Sequence, residues 1–235
     1  MTQHPSGHTT EKVRLSRDLM TATIARRLQP GWLVNLGVGM PTGVPAYVPP
    51  DRGITFSSEN GVIGYGEVIG GGEEDPDVVN AGVEYVALRP GAAILHHADS
   101  FALIRRGLNQ VSILGAYEVA CDGTFANWRV STDPFDNLGG IGGAMDLAAR
   151  AQQIWVVMEH TQRDGTPRLI ERCRLPITGG NRLTLVVTDV AVVAVRDGRF
   201  VLEEHAPGWT VEEIRAITGA PLDVSPDLCE IRFPQ

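Results

Sequence analysis

The sequence predicts one α/β domain with a mostly parallel sheet flanked by helices and an antiparallel hairpin near the C-terminus. Short apolar runs typical of buried strands alternate with segments of helical periodicity, an order that favours parallel strands joined by crossover helices. The chain has 27 glycines and 15 prolines in 235 residues, which suits the many tight connections of such a domain. Neither an internal repeat nor an interdomain linker is visible, so residues 11–235 are assigned to one domain.

The first elements follow a polar leader, residues 1–10, which we expect to be disordered. An opening helix, ended by Pro30-Gly31, is predicted by helical spacing of Val13, Leu15, Met20, Ile24 and Leu28. The run WLVNLGVG then predicts a buried strand that leads into a helix with Pro41 near its first position.

The next segment, ITFSSENG, predicts a strand from Ile54 to Phe56 that ends in a polar cluster followed by glycines at 61, 64 and 66. Polar side chains are thereby placed at the C-terminal end of a strand, which is where ligand sites gather in open α/β sheets. Further strands are predicted in EYVAL, AAIL, VSILGA and QIWVVME, and further helices at residues 99–106 and 144–151.

The C-terminal region carries two clear local signals. Apolar runs LTLVVTDVAVVAV and RFVLEEH flank Asp197-Gly198, which is a strong hairpin turn signal and predicts an antiparallel extension of the sheet. Thr210 with Glu213 three residues later matches a capping box, which predicts the start of the last helix.

The composition of the chain limits the kinds of partner that it can bind. The formal net charge of −8 argues against nucleic acid and against an anionic membrane surface, so any anionic ligand has to be held by local charge. Three separated cysteines, Cys121, Cys173 and Cys229, form neither a disulfide framework nor a zinc motif. We expect a soluble, cytoplasmic protein, because neither a signal sequence nor an apolar run of about 20 residues is found.

Two short segments carry the candidate catalytic residues. In SSENG, Glu59 lies between hydroxyls, an amide and a glycine directly after a strand, although alone this pattern is more typical of a solvated turn. In IGGAMDLA, residues 141–148, two glycines precede a helix, and successive backbone N–H groups of such a loop can point at an anion and build an oxyanion hole. A tight strand-to-helix turn is the simpler interpretation of this second segment alone.

The order of the segments is much more specific. The runs SSENGVIGYG, GEEDPDVVNAG, HHADSFALIRRG, ILGAYEVACDGTFANW, GIGGAMDLA and MEHTQRDGTPRLIERCRLPITG succeed one another along the chain. In this order they strongly resemble the B (β) subunit of 3-oxoacid coenzyme A (CoA) transferases, from about residue 14 to about residue 228. The resemblance implies a CoA-transferase-like fold and makes Glu59 the catalytic nucleophile.

The resemblance also implies roles for the neighbours of Glu59. The nucleophile loop would be shaped by Ser58, Asn60 and Gly61. Backbone amides near the reacting carbonyl would come from Gly142, Gly143 and Ala144, and which amide donates is left open.

The implied chemistry is a ping-pong exchange in which a carboxylate nucleophile forms an acyl-glutamyl anhydride and then an enzyme–CoA thioester. Carboxylate is exchanged for carboxylate, so no metal or redox cofactor is needed and CoA is a substrate. Members of this type also need an A (α) subunit. We therefore expect a heterodimer or an α2β2 heterotetramer, and an inactive chain when it is alone.

Other functions stay open on the sequence alone. The same glutamyl intermediate could be released to water, which would make the protein an acyl-CoA hydrolase, and related α/β folds can act as non-catalytic ligand-binding modules. The resemblance covers enzymes that use acetoacetate and enzymes that use 3-oxoadipate, usually with succinyl-CoA as the donor, and does not separate them.

Several other polar residues are candidates for chemistry. A metal site at His96, His97 and Asp99 is disfavoured because adjacent residues on a strand point to opposite faces. The motif Asp99-Ser100 with Arg105-Arg106 either lines the site or stabilises a helix, with the structural role favoured. Glu159-His160 is either a border of the active site or an ordinary buried polar pair. Trp128 and Trp155 are predicted to lie in the core.

Overall fold

The structure is a computed structural model that describes residues 11–72, 74–133, 140–180 and 182–233. The predicted disordered leader, residues 1–10, lies outside the described residues. In chain order the elements are α1 (Arg17–Arg27), β1 (Leu33–Leu36), two 3₁₀ helices (Met40–Tyr47 and Pro50–Arg52), β2 (Thr55–Ser57), β3 (Val62–Val68), β4 (Val86–Ile94), α2 (His97–Arg105), β5 (Val111–Leu114), β6 (Glu118–Ala120), β7 (Phe125–Ala126), α3 (Ala144–Arg150), β8 (Gln153–Val157), β9 (Leu169–Ile170), β10 (Leu183–Val187), β11 (Ala191–Arg196), β12 (Arg199–His205), α4 (Val211–Ala216) and β13 (Leu222–Glu230).

The architecture is the predicted α/β domain. A 10-stranded sheet has the order β13-β12-β11-β10-β8-β5-β1-β2-β3-β4, and β7-β6-β9 form a small second sheet. The five central strands, β10-β8-β5-β1-β2, are all parallel, so their carboxyl ends share one edge. The chain adds β2 on one side of β1 and later β5 on the other, which makes the β1/β5 gap a topological switch point where open α/β sheets bind ligands.

Two apolar cores cover the two faces of the sheet. One core packs α1 and the first 3₁₀ helix against β1, β2 and β3, with Ile24, Val34, Phe56 and Tyr65 at its centre. The other packs α2, α3 and α4 with the small sheet against β5, β8 and β11, around Phe125, Leu147 and Phe200. Because every central strand is covered on both faces, β5 is buried along its whole length.

The opening helix is shorter than predicted. It begins at Arg17, where the Ser16 side chain accepts a hydrogen bond from the Leu19 amide, so Val13 and Leu15 precede the helix. These two residues form an extended segment whose amides donate to Pro207 and Asp189 carbonyl oxygens at 3.0 and 2.7 Å. The apolar residues that predicted one helix therefore belong to two elements, an extended segment and α1, which pack on the same core.

Three local predictions at the other elements hold. Asp197 and Gly198 have φ angles of 50° and 74°, the turn that joins the antiparallel pair β11 and β12. The capping box at the start of α4 is present, with Thr210 and Glu213 bonded in both directions. The element after β1 is a helix, as predicted, with Pro41 in its first turn; it is of 3₁₀ type and contains Pro45.

Candidate functional site

A cleft of ≈ 990 Å³ lies at the carboxyl edge of the parallel strands. The segments that follow all five of these strands contribute to its lining: Gly37, Val38 and Met40 after β1, Glu59 after β2, Gly115 to Tyr117 after β5, Met158 and Glu159 after β8, and Asp189 after β10. The cleft therefore occupies the position at which this class of sheet binds ligands.

Glu59 is held in the cleft by a tightly bonded loop. The Ser58 amide donates to the Val62 carbonyl oxygen at 2.8 Å, and the Gly61 amide donates to the Ser58 carbonyl oxygen at 3.0 Å. A side chain at Gly61 would collide with the Leu95 carbonyl oxygen, and its φ of 122° is also unfavourable for other residues. The loop between β2 and β3 thus has one compact conformation that requires glycine.

The turn at residues 79–84 braces this loop. Ser58 Oγ accepts a hydrogen bond from the Ala81 amide at 2.8 Å, and Asn60 Nδ2 donates to the Val79 carbonyl oxygen at 2.7 Å. Inside the turn, Asn80 Oδ1 accepts from the amides of Gly82 and Glu84. These bonds fix the backbone on both sides of Glu59 and leave its carboxylate free to face the cleft.

The structure brings Glu59 and the glycine loop together. A Cβ atom added at Gly143 would stand 2.5 Å from Glu59 Oε2 and 2.6 Å from Phe101 Cζ, so the carboxylate rests on a surface that only glycine leaves open. The two segments are separated by more than 80 positions in the chain, but both line the cleft.

Two amides of the glycine loop have no acceptor among the residues that the structure describes. The Ala144 amide donates to the Ile141 carbonyl oxygen at 3.2 Å and is therefore occupied. Within the described part of the chain, the amides of Gly142 and Gly143 have no acceptor. Because Gly143 is the N-cap of α3, its amide belongs to the unpaired N–H groups at a helix start. Gly142 and Gly143 are thus the available donors.

Burial raises the pKa of Glu59 above its ordinary value. His97 opposes this shift by its positive charge, whereas the carboxylate of Asp146 reinforces it. The pKa of Asp146 is itself lowered by hydrogen bonds from Arg105, whose Nε and Nη2 atoms lie 3.0 Å from its two oxygens. A partly desolvated carboxylate is a stronger nucleophile than a hydrated one, since less water has to be removed before it attacks.

The other polar candidates separate into distinct roles. His96 caps α2 by accepting from the Ala98 amide, and His97 is the first residue of that helix, so the expectation that both lie on a strand was wrong. Ser100 is buried and donates to the Ser58 carbonyl oxygen at 3.5 Å. Arg105 joins α2 to α3, and neither arginine of the pair Arg105-Arg106 lines the cleft.

Of the pair Glu159-His160, one residue borders the cleft and the other is a buried polar residue. Glu159 lines the cleft and receives a hydrogen bond from Arg168 at 3.2 Å. His160 is fully buried behind it, between the hydroxyls of Thr188 and Thr218. Trp155 lies in the core as predicted, but the expectation for Trp128 was wrong, since that side chain is half-buried and lines the cleft.

The sequence reasoning missed one group of cleft residues. These are four arginines, Arg14, Arg17, Arg163 and Arg168. Arg14 precedes α1, Arg17 is its first residue, and Arg163 and Arg168 follow β8. These positions become informative only together with the strand order. In the part of the chain that the structure describes, no group of three or more His, Cys, Asp or Glu side chains is arranged to hold a metal ion, and no helix has the length and apolar character to cross a bilayer.

The chain is similar to known proteins of one family. The family model described as Coenzyme A transferase matches residues 17–216. The B subunit of a 3-oxoadipate CoA-transferase from Acinetobacter baylyi is 36% identical over 209 residues, which are 89% of this chain and 95% of that protein. The β subunit of an acetate CoA-transferase from Escherichia coli K12 is 40% identical over 205 residues, 87% of this chain and 92% of that protein.

Solved structures show the same fold. An acyl-CoA transferase of Escherichia coli O157:H7 superposes with a TM-score of 0.70 at 19% sequence identity. The superposition covers 93% of this chain and 43% of the other, so this chain spans less than half of that longer protein.

Proposed function

The chain belongs to the coenzyme A transferase family and corresponds to its B (β) subunit, and from that premise we propose that it moves CoA from an acyl-CoA to a 3-oxo acid through a thioester on Glu59. The observation that carries the proposal is the contact between the Glu59 carboxylate and Gly143 inside the cleft. It places a nucleophile beside two backbone amides that have no described acceptor.

The first half-reaction begins when a Glu59 carboxylate oxygen attacks the thioester carbonyl carbon of the acyl-CoA. The carbon–sulfur bond breaks, CoA leaves as a thiolate, and an acyl-glutamyl anhydride remains. The thiolate then attacks the glutamyl carbonyl carbon of the anhydride, which releases the first carboxylate and leaves CoA on Glu59 as a thioester. In the second half-reaction an incoming carboxylate repeats these steps in reverse.

Each attack creates negative charge on a carbonyl oxygen. The amides of Gly142 and Gly143, which have no acceptor among the described residues, are our candidates for stabilising it, and one such donor typically contributes about 10²–10³ in rate. Ser58, Asn60 and Gly61 hold the loop so that the attacking oxygen does not have to be ordered during the reaction. No metal or redox step is required, and CoA serves as a substrate.

An A (α) subunit completes the proposed enzyme. The similar proteins of Acinetobacter and E. coli are named as B and β subunits, and the chain spans only 43% of the acyl-CoA transferase that it superposes on. We place the chain in a heterodimer or an α2β2 heterotetramer in the cytoplasm, where its three free cysteines would stay reduced. Succinyl-CoA is the proposed donor, and acetoacetate or 3-oxoadipate the proposed acceptor.

The covalent intermediate tests the proposal. When the complex with the α partner is incubated with succinyl-CoA and no acceptor acid, intact-mass analysis should show CoA attached to this chain. Borohydride reduction followed by peptide mapping should locate the change on Glu59. Glu59→Gln should abolish the adduct, whereas Glu67→Gln, at an exposed position on β3, should retain it.

Other outcomes identify other functions. A hydrolase would release free acid and CoA continuously without accumulating the adduct. A ligand-binding module would never form it. CoA found on Cys121, Cys173 or Cys229 would also contradict the role of Glu59.

A further inference from the structure

Positive charge is concentrated at one end of the cleft, although the chain as a whole carries a net charge of −8. The four arginines that line the cleft come from two places, the segment around Arg14 and Arg17 and the hairpin that carries Arg163 and Arg168. No lysine lines the cleft among the described residues. Arginine is the residue that proteins use where a carboxylate or phosphate is bound in a fixed orientation.

Acidic side chains of the protein already engage three of these arginines. Arg14 Nη1 lies 2.5 Å from Asp189 Oδ2, and Asp189 is buried. Glu159 lies between two other arginines, 3.2 Å from Arg168 and 3.9 Å from Arg17. One carboxylate therefore has to serve two guanidinium groups.

The hairpin arginines keep unused donors. Arg163 is exposed and forms no ion pair or hydrogen bond with any described residue. Arg168 donates through Nη1 to Glu159, and its Nη2 atom has no acceptor in the described part of the chain. The Arg168 side chain is 23% exposed, and Nη2, unlike the covered Nε atom, is accessible to a ligand in the cleft.

The hairpin itself is well defined. Thr161 and Pro167 form an antiparallel bridge, and the Gln162 amide donates to the Thr166 carbonyl oxygen at 2.8 Å. Asp164 accepts from the Thr166 amide at 2.9 Å, and this bond lowers its pKa. The Arg168 amide donates to the His160 carbonyl oxygen, so the hairpin is anchored at the end of β8.

The distance from Glu59 limits the kind of ligand. Glu59 follows β2 and the hairpin follows β8, and these strands are three strand spacings apart in the order β8-β5-β1-β2. With a spacing of about 4.8 Å, the two backbones are separated by about 14 Å. An extended arginine, a short dicarboxylic acid and a glutamate side chain together span such a distance. The phosphates of CoA lie farther from the thioester, beyond the long pantetheine arm.

We propose that Arg163 and Arg168 form a subsite for the distal carboxylate of a dicarboxylic substrate whose other end reacts at Glu59. The proposal rests on the transferase function proposed above and names the substrate class of that site. Arg168 supplies its unpaired Nη2 donor, Glu159 orients its guanidinium through Nη1, and Arg163 adds a second cation from the hairpin. A monocarboxylic acid cannot use either group.

Acceptor selectivity of the complex tests this inference. The catalytic efficiencies kcat/KM for 3-oxoadipate and for acetoacetate are measured for the parent, Arg163→Gln, Arg168→Gln and Arg168→Lys. We expect each Gln variant to lose about 10- to 100-fold on 3-oxoadipate, as for a charge-assisted hydrogen bond, and less than about twofold on acetoacetate. Arg168→Lys should recover part of the loss, because it restores charge but not the planar fork.

Arg172→Gln is the matched control, since Arg172 is exposed and lies outside the cleft. It should leave both efficiencies unchanged. Equal losses on both acids would assign the arginines to the CoA phosphates or to folding and would overturn the inference. So would unchanged selectivity, or a parent that uses only monocarboxylic acids.

The glutamyl–CoA adduct separates this inference from the function on which it rests. An adduct in the parent complex together with unchanged selectivity in the variants means that only the subsite is wrong. No adduct in the parent complex means that the transferase mechanism is wrong.

Discussion

The carboxylate of Glu59 occupies the space that a side chain at residue 143 would need: a Cβ atom there would lie 2.5 Å from Glu59 Oε2 and 2.9 Å from Glu59 Cδ. Gly143 has φ −73° and ψ −8°, a conformation that any residue can adopt. The requirement for glycine is therefore steric, and it arises from Glu59 together with Phe101, whose Cζ atom would lie 2.6 Å from the same Cβ atom.

We expect Gly143→Ala to reduce kcat by about 10²-fold, because the methyl group would displace the Glu59 carboxylate or close the space beside it. Its clash with the buried Phe101 ring should also cost about 1–3 kcal/mol of stability. Gly140→Ala is the matched control. Gly140 also lines the cleft, but its φ is not positive and nothing lies within 4 Å of an added Cβ atom. Transfer rates and urea unfolding of both variants check this, and parental activity in Gly143→Ala would contradict it.

The pH dependence of transfer should report the charges around Glu59. Glu59 attacks only as a carboxylate, and burial raises its pKa, so the rate should fall on acidification through a pH above the ordinary pKa of glutamate. Asp146→Asn removes a negative charge that raises this pKa, so the acid limb should move to lower pH. His97→Gln removes an opposing positive charge, so the limb should move to higher pH.

Arg105→Gln distinguishes charge from helix packing in that experiment. Both Arg105→Gln and Asp146→Asn break the ion pair between α2 and α3, but only Asp146→Asn removes the negative charge near Glu59. If both variants shift the acid limb of kcat/KM downward, the cause is altered packing of the helices, and the electrostatic explanation is wrong.

The proposed nucleophile could be chosen from the sequence, whereas its surroundings could not. The motif SENG follows a strand, and the family resemblance of the sequence alone made Glu59 the candidate for this role. The bracing turn at residues 79–84 and the supporting Ser100 hydroxyl reach the loop through hydrogen bonds between segments distant in sequence. Such contacts depend on strand order, which apolar periodicity does not encode.

The strands at and near the two edges of the sheet were predicted wrongly because they contain glycine or proline. The glycines at 61, 64 and 66 indicated a turn, but Gly64 and Gly66 lie within β3, where Gly64 lets the backbone of β4 approach closely. EYVAL and AAIL were predicted as two strands and form the single strand β4, which contains Pro90. β13 was not predicted, and it contains Pro226. Both are edge strands, where a missing N–H group does not break the ladder.

Val83 offers a stability test in the bracing turn. It is a β-branched residue with φ 62°, a conformation unfavourable for its side chain, and it is 78% exposed, so packing gives little in return. Val83→Gly should therefore raise the free energy of unfolding by about 1 kcal/mol. Val130→Gly is the control, since Val130 is also exposed but has no positive φ, and it should lower stability by about 0.5–1 kcal/mol. Urea unfolding measures both, and a loss in Val83→Gly would show that its side chain stabilises the turn.

The buried ring of His160, which lies after β8 beside the cleft, resists protonation. Its Nε2 atom lies 2.9 Å from Thr218 Oγ1, and that hydroxyl donates to the Ile214 carbonyl oxygen, so it accepts from Nε2–H. Nδ1 lies 3.0 Å from Thr188 Oγ1, which receives two backbone N–H groups and whose own proton can go to Nδ1 or to the Ala191 carbonyl oxygen at 3.1 Å. A neutral ring that donates from Nε2 accepts this proton at Nδ1. We assign the neutral Nε2–H tautomer, and burial lowers the pKa of His160 to about 4.

The lowered pKa of His160 predicts that the protein loses stability as the pH falls. The pKa is near 6.5 in the unfolded chain and about 4 in the folded one, so the unfolded chain binds the proton first. The stability contributed by neutral His160 is complete above pH 6.5 and is lost as the pH falls towards 4, by about 3 kcal/mol over that range. His160→Gln, which cannot be protonated, should be less stable than the parent at pH 7 but should lose about 3 kcal/mol less on acidification. Urea unfolding at pH 7, 5.5 and 4 measures this difference between the two proteins. The contributions of all other titrating groups to the pH dependence cancel, because both proteins contain them. Parallel stability profiles for the two proteins would mean that folding does not lower the pKa of His160, and the explanation by burial would be wrong.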